Sequence, residues 1–523
     1  MHVPQSTLAV REAIRRCLFL LTLVLVPPTW AADTCADGTL GHGTAWETNY
    51  YVRTADRAGP TVVITGGLHG DEPAGAAAAE QIRHWPLACG TLAVLPRANP
   101  PALAARTRNT PEVDKALGNL NRNFPKAGQA GPGVGDQAVA IWEWVQSVQP
   151  AWVVDLHEGS GIRAAGSKSV GSSAIVCPRA ETDEAAKRML AAVNATIERS
   201  DKQFVRLSPP VDGSLARAAG EHLGARAMIL ETSINDAPQP AAKNGADTKQ
   251  NASSVKPPPQ PLSRRVRQHR LLVQTLLVHL GMLDPGLNID RLTGRSAAAD
   301  KTWVALYDAG GTGGDGASSV QRILSRGGMQ VVRVGAEEIA AGSLAEFDLV
   351  VFPGGSGSKE AAAIGEAGRE QVRQFVERGG GYIGICAGAY LCTSGYDWSL
   401  KIFDAKTVSS RWQRGAATLK MELTPAGREI LGEHPLPVDV RYHNGPVITR
   451  ADVEAIPDFD VLACFRTEVA QNGTPAGVMV DSPAIASGSY GQGRVLFISP
   501  HPEQTAGLED LVRRAAEWTA GKP

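Results

Sequence analysis

Apolar residues come along this chain in short runs, each ending in glycine, proline or a polar cluster. Thr61-Val62-Val63-Ile64-Thr65, Thr91-Leu92-Ala93-Val94-Leu95-Pro96, Trp152-Val153-Val154-Asp155-Leu156 and Arg226-Ala227-Met228-Ile229-Leu230 are of this kind. Such runs predict strands buried on both faces of a parallel sheet. The alanine-rich stretch opening after Pro73 predicts a helix. Arg264 to Met282 predicts another, with Val266, Leu271, Leu272, Leu276, Leu277 and Leu280 as its apolar stripe. A second series follows: a strand at Trp303–Tyr307, a strand at Phe347–Phe352, a helix from about Lys359 to Glu377, a strand running to Ile385, and a strand at Val495–Ser499. Strands alternating with helices predict an α/β protein.

The pattern breaks in two places. Asp236 to Pro261 is rich in Pro, Ala, Asn, Lys and Gln, which predicts a loose surface insertion at 236–261. The domain boundary is expected near Pro285 to Lys301, giving a first domain over 32–290 and a second over 300–523. A length of 523 residues leaves each a full core. The first residues, 1–31, read as a secretory signal. Arg11, Arg15 and Arg16 precede an apolar run from Cys17 to Val26, then Pro27-Pro28 and a small residue at Ala31. No other run is long and apolar enough to span a bilayer, so the expectation is an exported protein, periplasmic, with no stable membrane span once the signal is removed.

Composition narrows the partners. The formal net charge is −1, with 20% charged and 5% aromatic residues; nothing there favours nucleic acid or an anionic membrane. Export makes disulfides permissible. Cys35 with Cys89, and Cys392 with Cys464, are candidate pairs whose connectivity the sequence leaves open. The oligomeric state is open too.

The chemistry falls at strand ends. Gly67-Leu68-His69-Gly70-Asp71-Glu72-Pro73 follows the first strand, His157-Glu158 the third, and Glu231-Thr232 the fourth. Open α/β sheets collect ligands at the carboxyl ends of their strands. His69, Glu72 and His157 together have the donor types of a two-His, one-carboxylate zinc site. In the second unit, Gly384-Ile385-Cys386-Ala387-Gly388 has the Gly-x-Cys-x-Gly form of a nucleophile elbow between a strand and a helix. His501-Pro502-Glu503 follows a later strand, so Cys386, His501 and Glu503 are candidates for nucleophile, base and orienting carboxylate.

His69-Gly-Asp-Glu-Pro-Ala-Gly75, Leu120-Asn-Arg-Asn-Phe-Pro125, Asp155-Leu156-His157 and Leu230-Glu231-Thr232 resemble the zinc carboxypeptidase superfamily. The branch they are similar to contains succinylglutamate desuccinylase, aspartoacylase and the bacterial murein-peptide carboxypeptidases. The resemblance covers roughly Thr61 to Leu283. It implies His69, Glu72 and His157 as Zn2+ ligands and Glu231 as the general base. It further implies Asn121 and Arg122 as holders of a substrate carboxylate, with Arg106 or Arg108 as the arginine facing the oxyanion. The activity implied is hydrolysis of an amide in a small peptide or N-acyl amino acid that bears a carboxylate. The second unit, about Lys301 to Trp518, resembles the class I glutamine amidotransferase fold, in the form found at the amino end of some biotin-protein ligases. The expected architecture is a zinc-carboxypeptidase-like mixed sheet followed by a flavodoxin-like amidotransferase fold. No ligase or ammonia-accepting domain accompanies it. Two other readings stand beside the zinc hydrolase: a ligand-binding or sensory protein with catalytically silent crevices, and an amide hydrolase that depends on Cys386.

Overall fold

A computed structural model of the chain describes residues 34–163, 169–235, 260–290, 292 and 301–521. The expected signal at 1–31 and nearly all of the expected insertion at 236–261 lie outside the described residues. Two large sheets, each with helices on both faces, make up the fold.

The first sheet contains β1 (Thr34–Leu40), β2 (Thr48–Thr54), β3 (Thr61–Gly66), β4 (Thr91–Leu95), β5 (Trp152–Gly159), β6 (Ser173–Val176), β7 (Val205–Leu207) and β8 (Arg226–Ser233), in the order β1-β2-β4-β3-β5-β8-β6-β7. The central strands β4, β3, β5 and β8 run parallel, while β1, β2 and β6 bring in antiparallel pairings. The sheet is therefore mixed, as expected. Alternate residues feed opposite cores: Val62, Ile64, Val154 and Leu156 pack on one face, and Val63, Val153, Ile175 and Ile229 on the other. Two strands run further than their apolar runs suggest. β5 continues through His157 to Gly159 and β8 through Glu231 to Ser233, because the polar end of each finds its backbone partners in the other. His157 and Glu231 thus sit within paired strands rather than beyond them.

The second sheet contains β9 (Trp303–Tyr307), β10 (Gln330–Val334), β11 (Leu349–Phe352), β12 (Gly381–Ile385), β14 (Ala416–Leu423), β15 (Val438–His443), β17 (Asp460–Phe465), β18 (Pro483–Tyr490) and β19 (Gly493–Ile498). A small pair is formed by β13 (Ala405–Thr407) and β16 (Ile448–Arg450). The large sheet runs β10-β9-β11-β12-β19-β18-β17-β14-β15. Its first five strands are parallel, and in chain order they read 2-1-3-4-5, the flavodoxin-like winding. The other four are antiparallel. In β15 (Val-Asp-Val-Arg-Tyr-His) buried and exposed residues alternate, as befits a sheet with one solvated face.

Among the described residues no helix is long and apolar enough to cross a membrane. Neither candidate disulfide is formed: Cys89, Cys392 and Cys464 are free thiols. Cys89 donates instead to the Gly281 carbonyl and Cys392 to that of Ala389.

One helix, Leu262–His279, ties the two sheets together. Its apolar stripe, with Leu272, Val273, Leu276 and Leu277 fully buried, packs on the helices Pro73–Ile82 and Ala180–Asn194 of the first unit. Its amino end is held by the second: the Leu262 N–H donates to Asp308 Oδ2 at 2.9 Å and the Ser263 hydroxyl to the Asp308 carbonyl. Arg270, 1% exposed, bonds Gln81 in the first unit and Glu338 in the second, with Asp290 between them in sequence.

Candidate metal centre and a second thiol site

The strand order reverses direction between β3 and β5, since β4 lies beyond one and β8 beyond the other. Such a switch point opens a crevice at the strand ends, and the first site lies there. Leu68 to Asp71 turn out of β3 toward the helix Pro73–Ile82. Glu72 occupies the cap position of that helix, and Pro73 its first turn, but its carboxylate does not cap it. It turns inward, with Oε1 2.9 Å from His69 Nδ1 and Oε2 2.7 Å from His157 Nδ1. Glu158 does the capping: its Oε2 accepts from the Ala74 N–H at 2.7 Å. Glu158 is in turn neutralised by Arg265 from the helix Leu262–His279. This division of labour frees Glu72 for the crevice.

His69, Glu72 and His157 are 2–3% exposed, and their donor atoms lie within 4.8 Å of one another. The far nitrogen of each imidazole is engaged. His157 Nε2 is 2.7 Å from Asp155 Oδ2, and His69 Nε2 is 3.0 Å from Asn119 Oδ1. Asp155 is itself fixed by the Thr65 hydroxyl at 2.7 Å. With Nε2–H donated outward, each Nδ1 is aimed at the shared space, where it donates to the Glu72 carboxylate and where, once deprotonated, its lone pair would face a metal ion; outer partners of this kind orient imidazole ligands. The donor set fits a zinc ion.

Electrostatics agree with the geometry. Burial works against charge on Glu72, yet His157 and His69 hold its carboxyl well below the usual range. Burial likewise opposes charge on His157, but Asp155 and Glu72 raise it well above the usual imidazole value. Glu231, in register with His157 across β5 and β8, is pushed up to about 8 by burial and then by the Glu72 charge. Its Oε2 is buried without a partner. His269 lies beneath, its Nε2 3.2 Å from the Thr232 hydroxyl, and burial drives it down to about 3, so it is neutral.

The remaining candidates divide. Arg108 reaches the site, donating to Glu72 Oε1 at 2.6 Å while half exposed. Arg106 takes a positive φ of 55° to end the helix Pro100–Ala105 and is exposed. Arg122 is partly buried and donates to the Asn121 carbonyl at 2.6 Å. Burial, then the Arg108 charge, lowers its guanidinium, while Glu231 and Glu72 raise it. Asn121 is directed inward. Its Oδ1 accepts from the Leu215 N–H at 3.0 Å, and its Nδ2 lies 3.1 Å from His157 Nε2. Asn119, Glu158, Arg265 and His269 escaped the sequence reading. Only Asp155 left a clear signal, two residues before His157 and so on the same face of its strand.

The second site sits at the carboxyl ends of β11, β12 and β19. Cys386 has φ 50° and ψ −92°, a strained turn that sets the residue, 6% exposed, in the wall of a cleft of about 580 Å³. Its flanking glycines are obligatory. A Cβ on Gly384 would lie 2.2 Å from the Gly388 carbonyl oxygen, and one on Gly388 would lie 2.2 Å from that of Phe352. His501 Nδ1 is 2.8 Å from Glu503 Oε1. Burial works to lower His501, but the neighbouring Cys386 and Glu503 carry it up to about 10, while the Cys386 thiol donates to the His443 carbonyl at 3.3 Å. The three residues of the expected triad are thus brought together.

Residues 58–233 match the family model described as the succinylglutamate desuccinylase/aspartoacylase catalytic domain, and residues 317–412 match that of the biotin-protein ligase N-terminal domain. No curated protein matches the chain. Similar solved structures include the cell-shape determinant Csd4 of Helicobacter pylori, 17% identical over 50% of this chain and 58% of that one (TM-score 0.34). An aspartoacylase family protein of Mesorhizobium loti is 21% identical over 49% of this chain and 69% of its own (0.32). The ectoine utilization protein EutE of Ruegeria pomeroyi is 21% identical over 50% and 71% (0.32). The chain therefore spans less than two thirds of the length of Csd4.

Proposed function

We propose, from the match of residues 58–233 to the succinylglutamate desuccinylase/aspartoacylase catalytic domain, that the first unit is a zinc-dependent hydrolase. Its substrate is a small peptide or N-acyl amino acid with a free carboxylate near the scissile amide, and murein peptides fit this class if the chain is exported. The observation that carries the reading is the buried His69, Glu72 and His157 set beside a carboxyl, Glu231, that has one oxygen unpaired.

A zinc ion held by His69, Glu72 and His157 would polarise the scissile carbonyl and lower the pKa of water. Glu231 takes the proton from the attacking water and gives it to the leaving amine. Its raised pKa suits a group that must both accept and release a proton near neutrality. Arg122 holds the substrate carboxylate through two parallel hydrogen bonds. Arg108, rather than the exposed Arg106, faces the oxygen on which negative charge develops. Asn121, fixed by the Leu215 N–H and placed against the His157 ring, is a positioning residue.

The deciding experiment is metal analysis of the purified chain and of His69→Ala. One zinc per chain in the parent and none in the variant is the expected result; full zinc in the variant removes the proposed shell. Substrate class is read on matched pairs. Arg122→Ala should lower kcat/KM far more on free-carboxylate substrates than on their amides, and equal losses would favour an endo-acting hydrolase.

A further inference from the structure

The cleft above Cys386 is walled by rings. Tyr396 and Trp398 stack at 4.6 Å, Tyr390 lies 6.3 Å from Tyr396, and Trp412, 49% exposed, stands at the rim. A chain with only 5% aromatic residues has gathered four of them around one thiol. Exposed indole and phenol faces are poor company for water and good company for a flat ring. Among the described residues no aspartate or glutamate lines the cleft; Glu360, near enough to interact with Cys386, is kept neutral by burial, and Glu503 is taken by His501, so a free α-ammonium would enter without a counter-charge. Arg441 does line it, is exposed, and has no carboxylate partner among the described residues. A cleft of about 580 Å³ is also within the size range of sites for ring-bearing ligands.

We propose that this cleft is a second reaction centre, in which Cys386 cleaves an amide or ester whose acyl group carries a flat ring and a carboxylate but no ammonium. The ring lies against Tyr396 and Trp398, the carboxylate meets Arg441, and the carbonyl sits over Cys386. The thiol passes its proton to His501 Nε2 as Sγ bonds to the carbonyl carbon. The carbon–nitrogen bond breaks, and His501 returns that proton to the leaving amine. Water then adds to the thioester, the carbon–sulfur bond breaks, and a proton returns through His501 to Sγ. One amide and one water become one carboxylic acid and one amine. This inference stands apart from the zinc reading and needs no metal.

The test uses the full chain with a chelator present throughout. Alkylation of Cys386 by iodoacetamide, followed by mass spectrometry of its peptide, reads occupancy of the cleft. The probes are 4-carbamoylbenzoate (aromatic ring and carboxylate), benzamide (ring, no carboxylate), succinamate (carboxylate, no ring) and L-glutamine (no ring, with an ammonium). 4-Carbamoylbenzoate should protect Cys386 best. Trp398→Ala should cut that protection about 2–10-fold, the worth of one stacked pair, with circular dichroism and melting as the check on folding. 4-Carbamoylbenzoate should release ammonia, and Cys386→Ser should abolish the release. Protection by benzamide, glutamine or succinamate equal to that by 4-carbamoylbenzoate overturns the proposal. So does full protection in a folded Trp398→Ala, or alkylation of Cys386 no faster than that of an ordinary thiol.

Discussion

Glu231 carries the sharpest consequences of any single side chain. Its carboxyl is pushed up to about 8 in the fold, above its ordinary value of about 4.3. A group raised in this way contributes stability fully below the unfolded value and loses it as pH rises through the folded one. Without metal, Glu231→Gln should therefore be more stable than the parent at pH 8, by an amount on the order of a few kcal/mol, and no more stable at pH 4. Guanidinium melts at the two pH values check this. The same variant should bind zinc yet lose about 10²–10⁴-fold in turnover. Unchanged turnover would strike Glu231 from the mechanism. That His69, Glu72 and His157 would come together was legible in the sequence, because their types and strand-end positions point to one crevice. Asn119 and Glu158 were not, because a hydrogen-bonding role depends on which backbone group or ring nitrogen a side chain meets.

The helix Leu262–His279 shows how an element with an ordinary pattern can act at a distance. Its stripe of leucines made it legible. What the stripe conceals is the other face, where Arg265 and His269 stand one turn apart under the metal centre. Arg265 neutralises Glu158, and Glu158 caps the helix that begins beside Glu72. Arg265→Ala leaves a carboxylate buried and unpaired, which should cost about 3–5 kcal/mol and lower zinc affinity, whereas Arg265→Ala with Glu158→Gln should recover most of the stability. Denaturant midpoints with metal titrations read both. The central parallel strands of both units were readable because a strand buried on two faces is an unbroken apolar run. The edge strands β1, β7 and β10, their neighbours β2 and β6, and the antiparallel strands β14 to β18 were not read. Their residues alternate or are largely polar, and a neighbour's hydrogen bonds hold them.

At the scale of the whole molecule the two candidate sites lie at the strand ends of separate sheets, and on the proposed reading each works with its own base. Cys386→Ser should leave metal-dependent hydrolysis intact, and a chelator should leave alkylation of Cys386 intact. Loss of metal-dependent turnover in Cys386→Ser would show a shared site. Stability is another matter, for Arg270 is buried between carboxylates contributed from both sides of the boundary. Anyone cutting the gene near residue 290 to express the halves separately would strand that arginine in one product and Glu338 in the other. Neither half is then a natural unit of inheritance: a recombination that exchanged one half for an unrelated enzyme would have to carry a matching charge with it.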